Sequence, residues 1–170
     1  MRIAIVDDLA DERVLLRQRL EHQLARRNVQ ADLLEYESGE AFLTAAQDEP
    51  FTVAFLDIYM AGANGIETAR ALRQHDTDCL LIFTTTSTDH ALEGFQVRAM
   101  QYLVKPFTED DIAQLMDEIF ARLPQPDKYM ALKTSEGELR LAYKNILYAE
   151  HFAHVIYIHT TAGKTLTTRQ

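Results

Sequence analysis

The sequence predicts an α/β fold: a five-stranded parallel, doubly wound sheet, followed by a partial all-β module. Three observations carry this. Through residues 1–122, short apolar runs alternate with segments of helical period, which implies crossover connections and helices on both faces of a parallel sheet. Those runs are apolar throughout, as in strands covered on both sides. After "PQPD" at 124–127 the period changes to two, the mark of half-buried antiparallel strands.

Taken in order, "RIAIVDD" is a strand ending in acids, and "DERVLLRQRLEHQLARR" places Val14, Leu15, Leu20 and Leu24 at helical spacing, with Asp11 expected as the helix cap. "ADLLEYES" is a second strand and "GEAFLTAAQ" a short helix. "FTVAFLDIY" is the third strand, and "GIETARALRQ" its helix. "CLLIFTTT", "DHALEGFQV", "QYLVKP" and "TEDDIAQLMDEIFARL" complete five strand–helix units. Two prolines in "PQPD" cannot continue the last helix, so residues 123–127 read as a linker. Beyond it, "YMALKT", "ELRLAY", "HVIYIHT" and "KTLTTR" are short strands joined by turns at "SEGE" and "TAGK". Residues 128–170 are too few for an all-strand domain to stand alone, so they are expected to be the N-terminal part of a larger module.

No apolar run in the 170 residues approaches the roughly 20 needed to span a membrane. The single cysteine, Cys79, cannot form an internal disulfide, and a reducing, cytoplasmic compartment is expected. The net charge of −9 conceals a division along the chain. Residues 1–122 hold 11 basic and 22 acidic residues, or −11; residues 128–170 hold 6 and 3, or +3; Asp127 supplies the remaining −1. Two signs of charge imply two modules with different partners.

In open α/β sheets, ligands bind beyond the carboxyl ends of the strands, where the strand order reverses. With order 2-1-3-4-5, the strand ends Asp7-Asp8 and Asp57 meet in one pocket, facing Thr85 and Lys105. Crowded carboxylates repel unless a cation joins them, and an open, all-oxygen site suits Mg2+. With the cation bound, Asp57 is a candidate nucleophile toward phosphorus, and Lys105 and Thr85 can stabilise the charge on the phosphoryl oxygens.

At this point "IVDD", "FLDIYMAGANGIETA", "LIFTTTS" and "YLVKPF", in this order and spacing, resemble the receiver domain of bacterial response regulators, over about seven-tenths of the chain. The resemblance implies a flavodoxin-like fold over 1–122. It also implies that Asp57 accepts phosphate from a sensor histidine kinase. Asp8, Asp57 and the Tyr59 backbone carbonyl would hold Mg2+, with Asp7 acting indirectly. Lys105 would pair with the phosphoryl group, and Thr85 and Tyr102 would move with it. The Lys105–Pro106 bond is expected to be cis, and the phosphorylated form to be a homodimer. Such a protein is a phospho-acceptor, with phosphoryl transfer and slow autodephosphorylation its only chemistry. Two positions depart from the family's pattern. Ala61 replaces a usual proline, which should loosen its loop. Thr86 replaces a usual Ala or Gly and should slow water attack on the phosphoryl group. The second module, with "NILYAE" and then His154, resembles the opening strands of a LytTR-type DNA-binding domain. That resemblance implies control of transcription, DNA as partner if the module is complete, and His154 near a DNA contact.

Rival classes fit less well. A haloacid-dehalogenase-type phosphatase wants a second Asp where Tyr59 stands, and no GxxxxGK[ST] or GxGxxG segment is present for a nucleotide. A receiver that interacts without being phosphorylated is the alternative that remains, and the intact acidic set argues against it.

Overall fold

The computed structural model describes residues 1–87, 91–123, 129–134, 137–152, 155–163 and 165–169. The chain divides into two compact units, residues 1–122 and 123–170.

In the first unit, five strands alternate with five helices. They are β1 (Arg2–Val6), α1 (Ala10–Arg26), β2 (Asp32–Tyr36), α2 (Gly39–Asp48), β3 (Val53–Asp57), α3 (Gly65–Arg73), β4 (Leu80–Thr85), α4 (Ala91–Gln96), β5 (Gln101–Val104) and α5 (Glu109–Arg122). All strands pair in parallel in the order β2-β1-β3-β4-β5. The expected sheet, order included, is the one observed.

The apolar character of the central strands β1, β3 and β4 is explained by what lies on each side. Ala4, Val6, Ala54, Leu56, Leu81 and Phe83 pack into one core with Phe42 of α2 and with Ile66, Ala69 and Leu72 of α3. The alternate residues Ile3, Ile5, Phe55 and Ile82 are also fully buried, on the side that carries α1 and α5 with their buried Leu16, Leu20, Leu24, Ile112, Leu115, Met116 and Ile119. Each fully buried Val, Leu, Ile, Phe or Met among them stabilises the fold by about 1.5–3 kcal/mol relative to leaving it in water. Tyr36, Phe42 and Phe51 meet edge-on or tilted, with ring centroids 5.3–5.9 Å apart.

Two details of α1 differ from expectation. Its N-cap is Leu9, without a side-chain cap, and Asp11 lies within the first turn, where its charge still complements the helix dipole. Its buried face runs through Leu16, Leu20, Gln23 and Leu24, leaving Val14 and Leu15 exposed. Gln23 takes a buried place because its amide bonds Glu109 and Arg27. Other helices start on side-chain caps: Ser38 accepts from the Ala41 N–H, and Asn64 from the Glu67 N–H. At α5, Thr108 and Asp111 cap each other reciprocally.

The second unit holds β6 (Tyr129–Thr134) paired antiparallel with β7 (Gly137–Ala142), and a second sheet of order β10-β9-β8 built from β8 (Ile146–Phe152), β9 (Val155–Thr160) and β10 (Thr165–Arg169). The strand β8 is absent from the periodicity reading. Its residues are exposed on both faces from Leu147 to Phe152, so no hydrophobic alternation marks it.

Candidate functional site

The site forms at the carboxyl ends of β1, β3 and β5. Asp7 and Asp8 follow β1 directly, Asp57 is the last residue of β3, and Lys105 follows β5. β1 and β3 are hydrogen-bonded neighbours, so the acids of two crossover units converge. Carboxylate oxygens from Asp7, Asp8 and Asp57 all lie within 4.8 Å of one another.

Lys105 reaches across from β5. Its Nζ donates to Asp7 Oδ2 at 2.7 Å and to Asp57 Oδ1 at 3.1 Å, with Glu12 Oε2 at 3.7 Å. Burial works against its charge, but the bonds and proximity to Asp7 and Asp57 outweigh it and push the Lys105 pKa up. Asp57 moves the other way from most paired carboxylates. Burial pushes its pKa up; Lys105 pulls it down only in part, and Asp7 and Asp8 add to the rise. One ammonium facing four carboxylates leaves a site with an excess of negative charge. Three converging hard oxygen donors with that excess fit a divalent cation such as Mg2+.

The loop after β3 is closely tied to the strand. The Gly65 N–H donates to the Ile58 carbonyl at 3.1 Å. A Cβ on Gly65 would lie 2.2 Å from the Asp57 carbonyl oxygen, so only glycine lets α3 start this close behind Asp57. Ala61, in the same loop, donates its backbone N–H to Asp8 Oδ2 at 3.0 Å. Where proline would offer no donor, the Ala61 amide ties the loop to Asp8.

Thr85 is fully buried at the end of β4. Its hydroxyl donates to the Ser87 carbonyl at 2.8 Å and accepts the Ser87 N–H at 3.1 Å. Tyr102 is half-buried, its ring 5.4 Å from that of Phe83. Its hydroxyl lies where a Cβ on Gly94 of α4 would be, at 1.8 Å. The Tyr59 side chain is half exposed. Thr86 is exposed and lines a hollow with Glu12, Lys105 and Phe107. The Lys105–Pro106 peptide is cis, as expected. His154 lies outside the described residues.

Two contributors were not singled out from the sequence, and a third, Ala61, was noted there only as a departure from the family's usual proline. Glu12 and Arg13 sit in the first turn of α1, and Arg13 donates to the Asp7 carbonyl at 2.6 Å; their helical position just after Asp8 was the available signal. Ala61 acts through its backbone, which leaves no mark in residue type beyond not being proline.

The response regulator receiver domain matches residues 3–117, and the chain belongs to that family. Over 99% of its length it is 29% identical to the sensory transduction protein LytT of Oceanobacillus iheyensis, of which it covers 71%. It is 36% identical, over 68% of its length, to the positive alginate biosynthesis regulatory protein of Pseudomonas aeruginosa, covering 46% of that protein. Among solved structures it resembles the Thermotoga maritima response regulator TrrA, crystallised in complex with Mg2+ and BeF, at 27% identity and a TM-score of 0.60, over 69% of this chain and 97% of that one.

Proposed function

We propose that this chain is a phosphorylation-controlled response regulator of transcription, in which Asp57 accepts a phosphoryl group from a sensor histidine kinase. The observation that carries the reading is the convergence of Asp7, Asp8 and Asp57 with the Lys105 ammonium at the ends of neighbouring strands.

The chemistry follows from the residues. Asp57 Oδ1 is engaged by Lys105, and among the described residues Oδ2 has no protein partner, so Oδ2 is the oxygen presented to phosphorus. It forms the new P–O bond as the P–N bond to the donor imidazole breaks; the bonding pair and a proton stay with the imidazole. Mg2+, held by Asp8, Asp57 and the Tyr59 carbonyl with Asp7 behind them, would neutralise the phosphoryl oxygens. Lys105, freed from Asp57, would pair with the incoming charge. Thr85 would exchange its bonds with Ser87 for one to the phosphoryl group, and Tyr102 would follow, biasing a two-state equilibrium. Thr86, exposed at the rim, would slow water attack and lengthen the phosphorylated state.

Residues 1–122 are then the receiver, 123–127 the linker, and 128–170 the first part of a LytTR-like DNA-binding module, with His154 near its contact surface. The basic balance of that segment and the similarity to LytT beyond residue 122 support this output. A homodimer formed on phosphorylation would place two such modules on two half-sites. A cytoplasmic location belongs to the same reading; among the described residues no helix is long and apolar enough to cross a membrane.

The test is intact-mass measurement after incubation with a small acyl phosphate, with and without Mg2+, beside Asp57→Asn. Gain of one phosphoryl group that requires both Mg2+ and Asp57 is expected. No gain by a folded, Mg2+-loaded chain would replace the proposal with a receiver that interacts without phosphorylation.

A further inference from the structure

The three carboxylates of the site are not held alike. Asp7 and Asp57 are buried and share Lys105. Asp8 is half-buried, and among the described residues no cationic side chain pairs with it. Its like-charged neighbours repel it, and rotation into water would relieve that repulsion at little cost. One bond opposes this escape: the Ala61 N–H on Asp8 Oδ2, at 3.0 Å.

That bond leaves room for a cation. An ionised carboxylate offers about four lone-pair positions, and the amide occupies one. The donor is itself fixed independently of the Ala61 side chain, which is exposed. The Asn64 cap and the bond from Gly65 to Ile58 hold the loop just beyond it.

We infer that the Ala61 backbone amide is a positioning group of the cation site, keeping the Asp8 carboxylate turned in beside Asp7 and Asp57 before the cation arrives. The inference rests on reading the cluster as a Mg2+ site. Residue 61 matters here through its nitrogen. Any residue but proline supplies the donor, so Ala61→Pro removes the bond while Ala61→Ser keeps it.

The experiment titrates Mg2+ calorimetrically into the full chain, into Ala61→Ser and into Ala61→Pro. Ala61→Ser is expected to match wild type within about twofold, and Ala61→Pro to bind about 3- to 10-fold more weakly. An unchanged constant in a folded Ala61→Pro would overturn the inference and leave the metal-site reading standing. No Mg2+ binding by wild type would overturn both. A second measurement needs no proline. In EDTA, the Ala61 amide of the wild-type chain is expected to resonate downfield and exchange slowly by NMR, and to lose both features in Asp8→Ala. An Ala61 amide indifferent to Asp8→Ala would equally overturn the inference.

Discussion

Asp57 sits in the fold at an electrostatic cost. Its carboxyl is buried among like charges, and its pKa is raised despite Lys105. A group whose folded pKa lies above its ordinary value favours the fold when protonated and penalises it when ionised. The penalty is therefore absent below the ordinary carboxylate pKa of about 4 and complete above the raised folded value. In metal-free buffer, Asp57→Asn should stabilise the first unit at pH 7–8 by about 1 kcal/mol, or roughly 3 °C in Tm. The gain should shrink as pH falls toward about 4. Thermal melts across that range decide it; a gain independent of pH would mean that ionisation is not its source. At this scale the acidic set and Lys105 were legible because charged residues directly after apolar strands stand out. The amide of Ala61 was not, since a backbone donor is common to nearly every residue and only the folded loop aims it at Asp8. His154 falls outside the described residues.

At the scale of elements, α4 is short, and the residue after it is held from α3. The Arg73 guanidinium donates to the carbonyls of Val97, Asp76 and Cys79 at 2.8–3.0 Å, tying the residue after α4 to the end of α3 and the start of β4. Within α4, Gly94 gives Tyr102 its place: a Cβ there would stand 1.8 Å from the tyrosine oxygen and 2.6 Å from Cζ. Gly94→Ala should therefore destabilise by about 1–3 kcal/mol through overpacking. In a Tyr102→Ala background the same change should be neutral or stabilising by up to about 1 kcal/mol, since alanine is the better helix former. Denaturant melts of the double-mutant cycle measure the coupling; additivity would show that the two residues do not share this space. The strand–helix units of the first part were readable because the central strands β1, β3 and β4 are largely apolar and α1, α3 and α5 each carry one buried stripe. β8 was not readable, because exposure on both faces erases the alternation by which a strand is recognised.

For the whole molecule, the two changes of character seen along the chain, in period and in charge sign, fall where the structure separates into two compact units. Long-range order was predictable in the first unit because crossover connections and a switch point leave few arrangements of five parallel strands. The second unit depends on pairing between strands that alternate only weakly, so its two sheets emerge only from the coordinates.

Cys79, 2% exposed at the end of the core beneath β4, has its thiol pushed up to about 12 by burial and Asp76. At neutral pH almost none of it is the reactive thiolate. Maleimide treatment of the native chain at pH 7 should leave the intact mass unchanged, with full modification only after unfolding. The chain thus offers a chemically silent background for spectroscopy. Two surface cysteines, one introduced on each unit, could carry spin labels or fluorophores with the native residue left in place, and the separation of the units could be followed as Asp57 is loaded.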